Sequence, residues 1–470
     1  MKKAAVAAAV VVVIGGAWLG ATAYTGHRIA DAYETRVAKL EKQFPFMRVV
    51  DRQTDKGLLS STYSGKVQMG CAPEAAGGDK AGKPVVIGFR DEVRHGPLPG
   101  FTGFGAAVID SQITLPDSAP EALRKYVAGM APGAIRTMVG YGGDYTTALR
   151  LPAGDVAFPA GQLSWPEVRA SGSGKLDGSA SSFDGHLPEI AFRGIDKPDA
   201  KAMNFKLVNL RWKGENRGEG SIWLRPGTSS MEVERIELLG DAGGKAISAQ
   251  IGKIKYLTEL GADQDLLNVK ATVTADATLQ LGADAKPIQL DNLEFQETIS
   301  RLHGPTLQKV LDASMADLST CGAAGAPALD PAVRGQEMLA MLAQLLPYAP
   351  ELSVDKLAMS YEGQRGELSY AVSAPGLTAK DIEARGALQR QLQQKLVLRA
   401  DAKLPIAWIE QFGARAGDAA GAAQRVAQAN SMLDLAVGKG FVVRDGEYVT
   451  GKLRMERGAI LVNDKPLGGR

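Results

Sequence analysis

Cysteine, histidine and aromatic residues are scarce in this chain. Its 470 residues hold two cysteines, four histidines and only 6% aromatics. Two cysteines without histidines at zinc-ligand spacing exclude the common zinc motifs. An excess of one charge is also lacking. Lys and Arg number 54 against 52 Asp and Glu, a net of +2, which excludes a dedicated nucleic-acid binder. Catalytic signatures are missing: there is no G-x-S-x-G elbow, no H-E-x-x-H and no calcium loop. "SGSGKL" (Ser171 to Leu176) imitates a phosphate loop, but Arg169 stands where the leading glycine belongs and Leu176 replaces the magnesium-binding Ser/Thr. A β-turn is expected there. No enzyme activity and no cofactor are expected.

Long apolar runs are lacking after the first 26 residues. The one at the start is the strongest signal in the sequence. Lys2 and Lys3 precede an uncharged stretch from Ala4 to Gly26, carried by positions such as Ala4, Val10, Ile14, Trp18 and Tyr24. A helix needs about 20 apolar residues to cross a hydrocarbon core. The two lysines should stay cytoplasmic, so the rest of the chain is expected to be exported. Ala21-Thr22-Ala23 also fits a signal-peptidase site, so a cleaved signal peptide is the rival reading. Export places Cys71 and Cys321 in an oxidising space. They form a candidate disulfide closing a loop of about 250 residues, against the alternative of two unpaired thiols in small-residue loops.

What is abundant is glycine, 55 residues of it, and period-2 alternation. A helix is expected over Tyr24 to Phe44, with Ile29, Tyr33, Val37 and Leu40 on one face and Pro45 as its stop. From Ile135 to Leu290 nearly every segment alternates, including "NFKLVNLRWKG", "GSIWLRPG" and "LLNVKATVTADATLQL". Alternation with one apolar face means half-exposed antiparallel strands. A short helix capped by Asp117 or Ser118 interrupts them. Helices return after His303, followed by a hairpin, a further helical region near Ile406 to Val437, and closing strands. The fold expected is α+β and β-rich: an N-terminal transmembrane helix, then an elongated, curved antiparallel sheet with flanking helices. The divisions expected are anchor or signal 1–26, juxtamembrane helix 27–46, β-rich region 47–303, and helices with C-terminal strands 304–470.

One tripeptide recurs. His95-Gly96-Pro97 and His303-Gly304-Pro305 use two of the four histidines in an identical context. Each Gly-Pro sets a turn, and each imidazole suits a hydrogen-bonding plug for local backbone. A metal or pH-sensing pair and a catalytic pair are the alternatives. Asp91 and Glu92 alternate on a strand and are expected to be solvated rather than paired.

Several segments together resemble the YdgA-like family of bacterial envelope proteins, a group whose domain is labelled as of unknown function. They are the Lys-Lys start, Tyr24-Thr25-Gly26, "KGLLSS" (Lys56 to Ser61), "VRHGPLP" (Val93 to Pro99), "MVGYGGD" (Met138 to Asp144) and "ILVNDKPL" (Ile460 to Leu467). Lys56 and Leu59 depart from the family's usual Arg and Phe. The resemblance implies an anchor in the bacterial inner membrane, single-pass, with a periplasmic body and homodimers. It carries no catalytic residues. The repeated closing strands also resemble those of AsmA-type proteins, whose curved sheets shelter lipid tails. Three functions are expected in falling order: binding of a lipid or other apolar ligand in a sheet groove, a structural or assembly role through protein contacts, and an envelope hydrolase.

Overall fold

A computed structural model describes residues 2–44, 46–71, 84–101, 103–196, 202–218, 221, 223–242, 245–282, 285–319, 340–378, 380–381, 391, 394–415 and 419–467. Among them are twenty-two strands, and every registered pair is antiparallel; helices are few. This is the β-rich class that the alternation predicts. The chain divides into two compact units: Met1–Ile195 with Asn209–Arg225 and Leu311–Asp330, and Asp196–Val208 with Pro226–Val310 and Pro331–Arg470.

In the first unit, helix α1 (Lys2–Gln43) leads into β1 (Met47–Lys56), β2 (Ser60–Cys71), β3 (Pro84–His95), β4 (Ala107–Thr114), β5 (Ile135–Val139) and β6 (Asp144–Leu151). These six pair in chain order, and β6 then pairs with β9 (Val168–Lys175). Strand β10 (Ala180–Gly194) takes β9 along its first half and β8 (Gly161–Trp165) along its second; β7 (Gly154–Phe158) borders β8, and β11 (Asn204–Arg217) follows β10 in the chain. The tightest core is Tyr63, Val93 and Ala107 on β2, β3 and β4, closed by Ile29 and Tyr33 of α1. Burying the Val93 side chain contributes about 1.5–3 kcal/mol, and the Ala107 methyl about 0.8 kcal/mol. Helix α1 stops at Gln43, two residues before Pro45, because a proline cannot donate to the preceding turn. Its face Ile29, Tyr33 and Val37 is the one that packs.

Three local expectations differ from the structure. Among the described residues of "GSIWLRPG", none before Gly227 is in a strand: Trp223 lies in a turn, edge-on to Phe44, and Arg225 is buried. Tertiary packing outweighs alternation in so short a run. Helix α2 (Glu121–Ala128) starts after Pro120 with no side-chain cap, and Asp117 pairs with Arg124 instead. "SGSGK" lies inside β9, paired on both sides, and the turn comes after Lys175.

The second unit is one long meander. Strands β12 (Gly227–Ala242), β13 (Lys245–Asp263), β14 (Leu266–Leu281), β15 (Ile288–His303), β16 (Glu351–Tyr361), β17 (Gln364–Ser373) and β18 (Val397–Pro405) pair in sequence. Strand β20 (Tyr448–Glu456) pairs with β18 and with the short β19 (Val443–Asp445), then β21 (Ala459–Val462) with β20. Helix α3 (Gly304–Ser319) follows β15. Helices α4 (Ala407–Arg415) and α5 (Ala419–Gly438) pack on each other.

Side chains on α1 are described from Trp18 onward, so the anchor positions Ala4, Val10 and Ile14 lie on the helix with their side chains outside the description. Among the described residues no helix is long and apolar enough to cross a membrane. Cys321 and the side chain of Cys71 also lie outside them, and so does the candidate disulfide.

Candidate functional site

His95 ends β3 and is 4% exposed. Its Nδ1 lies 3.2 Å from the Leu58 carbonyl, so that nitrogen carries the proton; Nε2 then accepts from the Ser61 hydroxyl at 3.1 Å. Burial lowers the imidazole pKa from 6.5, and the Leu58 hydrogen bond opposes this. Helix α1 rests directly on the ring. A methyl group on Gly26 would sit 2.5 Å from Nδ1, so only glycine allows this approach. One residue earlier, Thr25 donates to the Gly96 carbonyl at 3.2 Å. The Gly96–Pro97 bond is cis. The first His-Gly-Pro element is therefore the socket for α1. Asp91, on the same strand, is not idle: it accepts a hydrogen bond from Tyr33 of α1 at 2.8 Å, and Tyr33 stacks on Tyr63. Burial, with the Asp91 carboxylate beside it, pushes the Tyr33 phenol well above its ordinary range. Next to this socket, buried Asp110 is held by Arg94 and Arg136.

His303 has different neighbours. It ends β15, its Nδ1 lies 2.8 Å from the Thr306 hydroxyl, and its ring stacks on Tyr348 at 3.8 Å. Gly304 opens α3 and donates to the Asp265 carbonyl. Here Gly304-Pro305 starts a helix, as proline in the first turn allows. His95 and His303 fall in separate units, each pinned by its own surroundings. Among the described residues no group of three or more His, Cys, Asp or Glu is placed to hold a metal.

The feature that sequence alone did not locate is a pair of unbroken apolar rows in the second unit. Strand register aligns Leu260, Val269, Ile299, Leu352, Val372, Leu398, Met455 and Ile460 across eight strands. A second row on the same face runs Met231, Tyr256, Val273, Phe295, Leu357, Leu368 and Ala402. Between them lies Thr258, Ala271, Glu297, Val354, Tyr370, Ala400, Leu453 and Val462, with Glu297 its one charge. The opposite face is polar, as the neighbouring row Glu259, Lys270, Thr298, Ser353, Ala371, Arg399 and Arg454 shows. The Glu294 carboxylate there bonds Lys356 and Arg365, and the Lys356 hydrogen bond holds its pKa below the usual value.

Every member of the first apolar row is only half buried, and Met231 and Leu357 of the second are 38% and 44% exposed. A sheet face under a full second layer would be closed to water. Helix α4 covers one end, where Phe412 stacks on Tyr361 and the Trp408 indole lies over Gly366. An apolar face left half open in this way is a candidate binding surface. It offers an extended apolar contact, interrupted by the one carboxylate of Glu297.

Over 310 residues, 60% of this chain, the sequence is 23% identical to Protein YdgA of Escherichia coli (strain K12). The match covers 56% of that protein, so it spans little more than half of the relative's length. No solved structure matches the chain. The family comparison covers far more: residues 1–468 match the bacterial proteins of unknown function grouped as DUF945, and the chain belongs to that family.

Proposed function

We propose that this chain is an anchored, non-enzymatic protein of the bacterial envelope that holds lipid acyl chains against the apolar face of its second unit. The observation that supports this reading most is the pair of apolar rows, continuous over at least seven strands and half open to water. Each half-open side chain gains about 25 cal/mol for every Å² of apolar surface a ligand covers. The uncharged start from Ala4 to Gly26 behind Lys2 and Lys3 supports a single-pass anchor in the inner membrane with the remainder in the periplasm.

The test is lipid analysis of the purified full chain beside Leu357→Asp and Phe295→Asp. These place a carboxylate in the middle of the second row. Mass spectrometry should find phospholipid retained by the native chain and lost from both variants, with circular dichroism unchanged. Equal lipid in all three sinks the reading. So does loss of dimer in the variants with no lipid in the native chain, since the face would then belong to a second copy.

A further inference from the structure

The first unit carries a second apolar surface. Three turns meet at one end of its sheet: Gly57 to Leu59 between β1 and β2, Gly96 to Ala106 between β3 and β4, and Gly140 to Gly143 between β5 and β6. The register Ser60–Arg94, His95–Ala107 and Ala107–Val139 fixes them at the same end. No charge falls in Gly57 to Gly65, in Gly96 to Ile109 or in Thr137 to Gly143. Large apolar side chains stand out from these turns. Phe101 and Phe104 are 79% and 77% exposed, and Leu58, Leu59, Leu98 and Tyr141 are exposed beside them. A folded domain rarely leaves two phenylalanines so open on one loop without a partner for them.

Helix α1 identifies the partner. It meets this same end of the sheet, with Trp18 stacked on Phe101 at 5.8 Å, Thr25 bonded to Gly96 and Gly26 on His95. The buried hydroxyls of Thr22 and Thr25 are satisfied by the carbonyls of Trp18 and Ala21, so this stretch tolerates an apolar setting. The uncharged stretch of α1 thus splits in two. Trp18 to Gly26 is committed to the sheet end. Ala4 to Ala17 continues past it, fourteen residues or about 21 Å of helix at 1.5 Å per residue. A hydrocarbon core is about 30 Å thick. The emergent helix falls short by about 9 Å. An amphipathic surface buries about 5–10 Å into the lipid interface, which closes that gap.

We infer that the three turns at the end of the first unit's sheet are seated in the lipid interface, with Phe101 and Phe104 as wedges among the acyl-chain carbonyls. The inference rests on the anchored reading of α1 given above. Its flanks suit the place: Lys56 and Arg28 lie at the border of the uncharged surface, where cationic side chains meet anionic headgroups.

The test uses the full chain in vesicles of phosphatidylethanolamine and phosphatidylglycerol, doped with a phospholipid whose diazirine sits at the acyl-carbonyl level. After photolysis, adducts are mapped by mass spectrometry. Adducts on the 96–105 loop and on the 57–59 or 140–143 turns, together with adducts on α1, support the seat. In the double variant F101D/F104D the turn adducts should fall at least tenfold while those on α1 persist. Adducts confined to α1 overturn the seat and leave the anchor standing. Adducts nowhere, with the chain washed off the vesicles by carbonate, remove the anchored reading itself. Chain-to-chain crosslinks through Phe101 or Phe104 in place of lipid adducts give the surface to a second copy and also overturn the seat.

Discussion

A methyl group added at Gly26 tests the docking of α1. The Cβ would lie 2.5 Å from His95 Nδ1 and 2.7 Å from Cε1. Carbon and nitrogen in contact want about 3.5 Å, so about 1 Å must be opened. The ring cannot swing aside cheaply, because Leu58 and Ser61 hold both nitrogens. Overpacking of this kind costs about 1–3 kcal/mol. Alanine in a helix interior returns about 1 kcal/mol over glycine. The net expected for Gly26→Ala is a loss of up to about 2 kcal/mol, up to about a 30-fold rise in local opening. Gly20 on the same helix is the control, since a Cβ there meets nothing within 4 Å. Hydrogen exchange of α1 amides after residue 26, on the full chain in detergent, reads both variants. Gly26→Ala should exchange faster and Gly20→Ala no faster than the native chain. In a His95→Ala background the Gly26→Ala penalty should vanish, because the clash has lost its partner. Equal behaviour of Gly26→Ala and Gly20→Ala would refute the contact.

Acidification should loosen the same contact. Burial keeps His95 neutral in the folded chain below its ordinary 6.5, while the unfolded chain takes up a proton there. His95's contribution is therefore complete above pH 6.5 and is lost as pH falls from 6.5 toward the lower folded value. Protection of the α1 amides, taken relative to the intrinsic exchange rate at each pH, should fall over that window in the native chain and stay flat in His95→Gln. Asp110→Ala leaves Arg94 and Arg136 facing an empty site. Their side chains are 26% and 41% exposed, which moderates the penalty to about 2–3 kcal/mol, read as faster exchange in β4. Gly366→Ala drives a methyl group into the Trp408 indole and should cost about 1–3 kcal/mol, seen as early proteolysis across α4 with the strands still protected.

The legible parts of this protein are those with a period. Alternation along "MEVERIELLG" and "LLNVKATVTADATLQL" gives strands because side chains must point to opposite faces in turn. The same rule overreached at "GSIWLRPG", where Trp223 and Arg225 found partners outside any ladder. Pro45 ends α1 through its missing N–H, and His-Gly-Pro marks where β3 and β15 stop. Gly26 was readable only as a small residue. Nothing in sequence places it against an imidazole 69 positions away, since His95 reaches it through the sheet's pairing.

Composition, alternation and the uncharged start thus determined by themselves a β-rich, antiparallel chain without catalytic or metal-binding motifs. Local sterics and hydrogen-bond chemistry act within a few residues, so a sequence carries them openly. Only the tertiary structure decided that Leu260, Val269, Ile299, Leu352, Val372, Leu398, Met455 and Ile460 form one row, and that three uncharged turns meet beside Trp18. Register is the physical reason. A slip of one residue in any strand exchanges its two faces, and that choice is made by pairing between segments far apart in the chain.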